Sequence, residues 1–371
     1  MSGLVYPTTT CSATEILDSL PGKFEKARKS GELFYFPSGA KDVVSDGKRF
    51  NIRCCPSLLD KQRAKIQALQ AVGVERSDDQ PNKRQRVDET KQNPSEPFKP
   101  PYVPELYVGC LEGLEGESGM SVLLNKYSVL PEHILLCPQT HEPQSLPPTP
   151  HQIALAYTIL LAASRHPAKP RRMLAFYNGG VGAGASQSWR HIQLVDVVRP
   201  PVEDWFAGVK FERKDQPIIH PSLPYLHIIH PLPDHQQIPY PLSEEQAGYL
   251  VDELAPPLMK CFDLMFDSIR RGQGNKDGGW NLLMTLDHLH LIPRSAPSFP
   301  LPTGHEALEL NSLGYAGMML TRSEDEERTL LSSVEHTGGL MSVLQNCGVP
   351  RQWGEEALEA QNLHRDLHTL Q

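Results

Sequence analysis

The sequence lacks several features that would each indicate a class of protein. No apolar run approaches the roughly 20 residues of a membrane-spanning helix, which excludes a helical membrane protein. The N-terminal segment has no charged start followed by an apolar stretch, so we expect no secretory signal. The seven cysteines are odd in number, scattered and without a CxxC pair, which predicts reduced thiols in a cytoplasmic protein.

Positive charge is also scarce over the 371 residues. The 36 lysines and arginines are outnumbered by 44 aspartates and glutamates, giving a net charge of −8. This balance disfavours broad electrostatic binding to nucleic acid or to an anionic membrane surface. We therefore expect an anionic ligand to be held by backbone amides and a few local cations.

Proline is abundant, with 34 residues, and it marks the organisation of the chain. Residues 77–105 are polar, charged and proline-rich, which predicts a disordered insert. The cluster Lys83-Arg84-Gln85-Arg86 is either a nuclear address or, as we favour, part of a solvated linker. We predict an N-terminal segment, the insert, a first half and a second half, with bounds 1–76, 77–105, 106–210 and 211–371.

Hydrophobic patterning predicts the strands. We predict strands in residues 120–130, 133–138, 172–180, 191–198 and 223–233, and two more within 281–294. Strand pairs precede and follow a helix in each half. This arrangement favours two related halves, each with an antiparallel sheet and packed helices, although no residue-level repeat supports the relation.

Capping residues and proline predict the helices. Thr149 caps and Pro150 opens one helix with an apolar face. A second helix occupies residues 243–272, and we expect an interruption at Pro256-Pro257, because proline removes a helical hydrogen bond.

The glycine-rich stretch NGGVGAGASQSWRHIQ, residues 178–193, carries the most specific chemistry. It links two strands, which excludes both the phosphate loop that precedes a helix and the dinucleotide fingerprint. Its amides can form a nest for phosphate oxygens. His191 and Gln193 lie two apart on a strand and share one face. A neutral imidazole at His191 can attack phosphorus, and Gln193 can donate to an oxygen as negative charge develops.

This stretch, as FYNGGVGAGASQSWRHIQ, closely resembles the active-site segment of the fungal diadenosine tetraphosphate phosphorylases, also called ATP adenylyltransferases. These proteins are relatives of galactose-1-phosphate uridylyltransferase in the histidine-triad superfamily. Four further stretches resemble the family in the same order along the chain: FNIRCCPSLLDKQ, LLNKYSVLPEHILLCPQTHEPQSLPPTP, GWNLLMTLDHLHLIPR and LELNSLGYAGMMLTRSEDE.

The resemblance implies an α+β, histidine-triad-like fold and a set of site residues. His191 matches the nucleophile that takes up AMP, and Gln193 matches the glutamine that steadies the transferred phosphate. The remaining matches are positions that contact polyphosphate or nucleotide: Lys61, Asn125, Lys126, Asn178, Gly184, Ala185, Ser186, Gln187, Thr285, His290 and Arg294.

The sequence departs from the family at two places. Trp189 stands where the family has the first histidine of HxHxQ, and a tryptophan ring nitrogen cannot accept a hydrogen bond. This change predicts an altered rate or substrate preference, or a loss of activity. His288 and His290 stand where the family has other residues. They can bind a metal, but no third ligand can be assigned, so we favour histidines without a metal.

The implied activity is phosphorolysis of diadenosine tetraphosphate to ADP and ATP through an adenylyl-histidine. The alternatives are a hydrolase of the same superfamily and a non-catalytic nucleotide sensor weakened by Trp189. We predict no tightly bound cofactor and no dedicated metal site, with a divalent cation such as Mg²⁺ arriving on the polyphosphate. The expected partners are nucleotides and phosphate, without nucleic acid or membrane. The basic cluster leaves nuclear entry open, and the sequence does not indicate an oligomeric state.

Overall fold

A computed structural model describes residues 4–35, 37, 39–56, 58–59, 96–272 and 278–369. Lys61 and residues 77–95 of the predicted insert, including its basic cluster, lie outside the described residues. The elements of the first half are β1 (Thr10–Cys11), α1 (Ala13–Ser30), β2 (Ala40–Ser45), β3 (Lys48–Cys54), β4 (Tyr107–Leu111), β5 (Met120–Leu124), β6 (Ile134–Pro138), α2 (Pro150–Ser164), β7 (Met173–Gly179), β8 (Ile192–Asp196) and α3 (Pro201–Trp205).

The second half adds further short strands and longer helices. Its elements are β9 (Ile218–Ile219), β10 (Ile228–Pro231), α4 (Glu244–Arg271), β11 (Trp280–Met284), β12 (His288–Pro293), β13 (Ser298–Phe299), β14 (Leu308–Glu309), α5 (Ser312–Tyr315), β15 (Met318–Thr321), α6 (Glu324–Val334), α7 (Gly339–Cys347) and α8 (Arg351–Thr369). Within the described ranges, no helix is long and apolar enough to span a membrane.

One ten-stranded sheet runs through both halves, in the order β1-β4-β5-β6-β8-β7-β11-β12-β10-β9. Only its β1–β4 pair is parallel. The α+β class is therefore as predicted, but the two expected sheets are joined edge to edge. The joint is the antiparallel pair of β7 and β11, in which Asn178 lies opposite Asn281.

The two faces of this sheet pack against different layers. Helices α1, α2 and α4 cover one face, where Tyr177 and Leu282 are buried. The opposite face carries a row of four directly paired residues, and these share an orientation: Gln193, Phe176, Leu283 and His290. Phe176 and Leu283 pack there against a second layer that includes the three-stranded sheet β15-β3-β2.

The predicted helix starts are confirmed, but the predicted interruption of α4 is wrong. Thr149 and Ser243 each form a reciprocal capping box with the glutamine three residues on. Helix α4 nevertheless continues for 28 residues through Pro256 and Pro257. Its buried face packs against α2, β10 and β12, and this burial outweighs the roughly 3 kcal/mol that an interior proline costs.

The last ten residues of the predicted insert are packed, so for residues 96–105 the prediction of disorder is wrong. Tyr102 is buried, stacks on Tyr107 at 5.5 Å between ring centroids, and pairs with Val5 through two backbone hydrogen bonds. Phe98 packs against the cluster that contains Tyr102. The segment covers part of the sheet face opposite the three helices.

Candidate active site

His191 ends the glycine-rich loop and immediately precedes β8. A main-chain carbonyl fixes the orientation of its imidazole. Its Nδ1 lies 2.8 Å from the carbonyl oxygen of Trp189. Because a carbonyl only accepts, Nδ1 carries the proton, and in the neutral ring the lone pair is on Nε2. The ring is 4% exposed and packs against Phe98, with 4.9 Å between ring centroids. If His191 is the nucleophile that the sequence predicts, the attacking nitrogen is therefore Nε2.

Gln144 holds the two ends of the glycine-rich loop together. Its Oε1 accepts a hydrogen bond of 2.7 Å from the backbone N–H of His191. Its Nε2 donates to the carbonyl of Asn178 at 2.9 Å. Gln144 is buried, so this clamp is shielded from water. Gln144 was not predicted as a site residue, because nothing local in the sequence indicates that residue 144 contacts the loop that ends at His191.

Gln193 is oriented by a histidine that the sequence analysis did not single out. His133 Nε2 lies 3.1 Å from Gln193 Oε1, and the oxygen can only accept. The ring therefore carries its proton on Nε2, and Asn125 Nδ2 lies 3.4 Å from both ring nitrogens of His133. This tautomer of His133 pins the amide oxygen of Gln193 and leaves its NH₂ group as the end that can donate to a phosphate oxygen. His133 belongs to the quoted Pro-Glu-His triplet, which was the available signal.

The glycine-rich loop offers a row of backbone donors. The N–H groups of Ser186, Gln187 and Ser188 donate to no other residue in the described part of the chain. The loop tightens through a 3-10 turn at Val181–Ala183, which ends at Gly184 with φ +89°. A Cβ atom at Gly184 would lie 2.7 Å from the carbonyl oxygen of Leu310. Glycine is thus required here by both conformation and close approach.

The two residues that precede His191 anchor the strand. Trp189 is buried, and its Nε1 donates to the carbonyl of Pro138 at 3.0 Å. Arg190 is buried and forms an ion pair with Glu142. The indole of Trp189 thus replaces a histidine without removing the carbonyl that orients His191.

Two predicted ligand residues, Asn178 and Arg294, lie in a buried network at the joint of the halves. Asn178 Oδ1 accepts from Asn281 at 3.0 Å and from the hydroxyl of Ser312 at 2.7 Å. Arg294 donates to Asn281 Oδ1 at 2.8 Å and to the carbonyl of Ala296 at 2.7 Å. Its guanidinium stacks over the ring of Tyr315. The structure places both side chains in the joint, in contact with protein, rather than on a ligand-facing surface.

The other predicted contacts are spread more widely. Lys126 is exposed beside the ring of Phe34. Ala185 is half-buried in the loop and donates its N–H to Gly180. Thr285 and His290 lie in the second half, and His290 is three strands from Gln193 in the same row, about 14 Å at the usual strand spacing. The structure therefore groups Asn125, residues 184–187, His191 and Gln193, and sets Thr285 and His290 apart.

Comparison with known proteins finds relatives that match most of this chain. In Saccharomyces cerevisiae, diadenosine 5',5'''-P1,P4-tetraphosphate phosphorylase 2 is 26% identical over 285 residues, 74% of this chain and 83% of the relative. Protein APA1 of the same yeast is 26% identical over 64% of this chain and 71% of the relative. The crystal structure of yeast Ap4A phosphorylase Apa2 has a TM-score of 0.63 at 22% identity, covering 92% of this chain and 99% of that one. A structure of the same yeast protein in complex with Ap4A has a TM-score of 0.62.

Two sequence families match consecutive parts of the chain. The Ap4A phosphorylase N-terminal domain matches residues 7–204, and the ATP adenylyltransferase C-terminal domain matches residues 221–350. Together with the α+β fold, these matches define the protein class as a nucleotidyltransferase. More particularly, the chain belongs to the Ap4A phosphorylase (ATP adenylyltransferase) family. The first match alone spans more than half of the sequence, and the predicted family and enzyme class are confirmed.

Proposed function

We propose that this protein phosphorolyses diadenosine tetraphosphate through an adenylyl group carried on His191. In the first step Nε2 of His191 attacks the α-phosphorus. A nitrogen–phosphorus bond forms, the bond from that phosphorus to the bridging oxygen breaks, and ATP leaves with the electron pair. In the second step an oxygen of inorganic phosphate attacks the same phosphorus. The nitrogen–phosphorus bond then breaks and ADP leaves, so His191 is regenerated.

The observation that carries this proposal is the 2.8 Å contact between Nδ1 of His191 and the carbonyl of Trp189. It selects the tautomer in which Nε2 holds the lone pair before substrate arrives. On the side of Trp189 the contact uses only the main-chain carbonyl, so it does not need the histidine that the family has at this position. We therefore favour an active enzyme over a sensor disabled by Trp189.

Two groups of donors support charge stabilisation in this scheme. The amide of Gln193, held by His133, is placed to donate to a non-bridging oxygen of the transferred phosphate. The N–H groups of Ser186 to Ser188, which have no acceptor among the described residues, suit the remaining polyphosphate oxygens. A divalent cation such as Mg²⁺ accompanies the polyphosphate in this proposal, so EDTA added to the assay should lower the rate.

The test is an assay of diadenosine tetraphosphate with and without inorganic phosphate. We expect ADP and ATP to appear only with phosphate, and acid-labile adenylate to accumulate on the protein without it. His191→Ala should lose both the label and at least about 10⁴-fold in kcat, since the nucleophile is gone. Trp189→Phe is the matched variant in the same segment, and it should keep kcat within about tenfold because the carbonyl remains.

Other outcomes would replace this proposal. Release of AMP with ATP, independent of phosphate, would identify a hydrolase. Tight nucleotide binding without label or product would identify a sensor. Equal activity of wild type and His191→Ala would exclude His191 as the nucleophile.

A further inference from the structure

Three side chains of types that can ligate a metal lie close together on the sheet face that packs against the second layer, away from His191. Glu203 on α3 places its Oε2 2.9 Å from Nδ1 of His288 and its Oε1 3.4 Å from Nε2 of His290. One ligand atom from each of the three lies within 4.8 Å of the others. The two histidines are two apart on β12 and share a strand face. The third ligand that the sequence could not supply is therefore Glu203.

Burial and charge at this cluster suit a cation. His290 is fully buried, and the side chains of His288 and Glu203 are 19% and 13% exposed. The three side chains are therefore largely shielded from water, and their ligand atoms lie close enough together to meet one ion. In the free protein the contacts are hydrogen bonds to the carboxylate, so binding of an ion would displace the ring protons that face Glu203.

Neighbouring groups orient each of these side chains. Nε2 of His227 lies 3.1 Å from Nδ1 of His290, which directs the other nitrogen of His290 toward Glu203. The hydroxyl of Thr285 donates to Oε1 of Glu203 at 2.9 Å. Such partners fix the rings and the carboxylate around a metal and raise its affinity. Thr285 and His290, which the sequence analysis assigned to nucleotide, thus lie within this cluster.

We propose that Glu203, His288 and His290 bind one divalent transition-metal ion, and that Zn²⁺ is the ion they suit best. Two imidazole nitrogens and one carboxylate are a ligand set that zinc takes with a fourth position open. A cavity of about 380 Å³ is lined by Glu203 and His288, so water or an anion from this cavity can complete the coordination. This proposal replaces the prediction, made from the sequence, that the protein has no dedicated metal site.

The ion would act as a cross-link between the halves rather than at the reacting phosphorus. Glu203 belongs to the first half and the two histidines to the second, and the contact joins residues 85 apart in sequence. His290 is about 14 Å from Gln193 by strand spacing. The metal site is therefore independent of the chemistry proposed for His191, and its test does not depend on activity.

The test uses purified full-length protein stripped with a chelator and titrated with Zn²⁺ alone. We expect about one zinc per chain by elemental analysis and a rise in Tm of roughly 3 °C at a hundredfold excess over Kd. Glu203→Gln and His288→Asn should each weaken zinc binding by at least about 100-fold. His151→Gln is the matched control, because it removes a surface histidine 3.1 Å from the carboxylate of Glu115 and should change nothing.

The wild type alone also decides the question if a variant does not fold. Co²⁺ added to the stripped protein should give the visible d–d bands of a low-coordinate nitrogen–oxygen site, and excess Zn²⁺ should remove them. Absence of stoichiometric binding and of these bands would overturn the proposal and leave a hydrogen-bonded cluster. Unchanged zinc affinity in folded Glu203→Gln and His288→Asn would place the ion elsewhere. Tight Fe²⁺ binding with weak Zn²⁺ binding would overturn the assignment to zinc.

Discussion

At the scale of single residues, His133 connects the strand pair of the first half to the proposed chemistry. It contacts Gln193, which in the proposed mechanism donates to the phosphate, so His133 is a positioning residue in that proposal. Without it, the side-chain amide of Gln193 can rotate and present its oxygen to the anion, which would repel it.

We predict that His133→Ala lowers kcat by about 10- to 100-fold with little change in KM, since the loss falls on transition-state stabilisation. His133→Gln can still donate to Oε1 of Gln193 and should recover much of the rate. Steady-state kinetics on both variants measures the split. A change confined to KM, or equal rates for the two variants, would contradict a positioning role. Lys99→Ala serves as the control, because Lys99 is exposed.

Some of the site residues could be predicted from the sequence, and others could not. His191, Gln193 and the loop were readable, because the chemistry and the spacing are local. The partnership of Glu203 with His288 was not, because the two residues meet only when β12 and α3 pack together. Arg294 and Asn178 were assigned to ligand, since the sequence does not distinguish a buried polar network from a ligand-facing cation.

At the scale of elements, the glycine-rich loop depends on a close approach to the strand that precedes α5. Gly184 has φ +89° and lies against the main chain of Leu310 and Asn311. Gly208 has a similar φ of +85°, but a Cβ there would meet no atom within 4 Å. Substitution of the two glycines therefore separates two costs: both positions would hold a side chain at positive φ, and only the one at Gly184 would also clash with Leu310 and Asn311.

We predict that Gly208→Ala lowers the free energy of unfolding by about 1 kcal/mol, as expected for a left-handed residue. Gly184→Ala should lower it by about 3 kcal/mol and also reduce kcat, because the loop amides are displaced. Chemical denaturation and kinetics on both variants provide the measurement. Equal losses of stability would show that the contact with Leu310 does not constrain the loop.

Element prediction succeeded where the signal is local and failed where distant packing decides. The capping boxes at Thr149 and Ser243 were visible as sequence. The continuity of α4 through Pro256 was not, because its helix is stabilised by burial against other elements. Phe98 and Tyr102 were hidden in a proline-rich stretch, and their burial depends on contacts with the distant strands β4 to β6.

At the scale of the whole molecule, buried histidines on the second-half side make stability depend on pH. Burial lowers the pKa of His220 to about 4 and holds the pKa of His227 well below its usual value. Above about pH 7 both the folded and unfolded forms of these rings are neutral. As the pH falls below about 6.5, the unfolded chain takes up protons that the folded protein refuses, so stability decreases.

We predict that His220 alone removes about 2 kcal/mol of stability between pH 7.5 and pH 5. His220→Asn keeps an acceptor for the N–H of Ser222 at the position of Nδ1 and does not titrate, and its loss of the bond to the carbonyl of Trp205 is the same at both pH values. Its loss of stability over this range should be smaller by that amount. Urea unfolding at both pH values, with EDTA present to exclude metal release, measures the difference. An identical pH dependence in the two proteins would contradict it.

The pairing of β7 with β11 has a consequence for any attempt to divide the protein. A chain broken after residue 210 would leave each fragment with a bare strand edge and with half of the Asn178–Asn281 hydrogen-bonded pair. Exposed edges of that length attract other strands. Split fragments made together should therefore recombine into a working whole, whereas either one made alone should aggregate, and the seam would serve as a natural site for a complementation reporter.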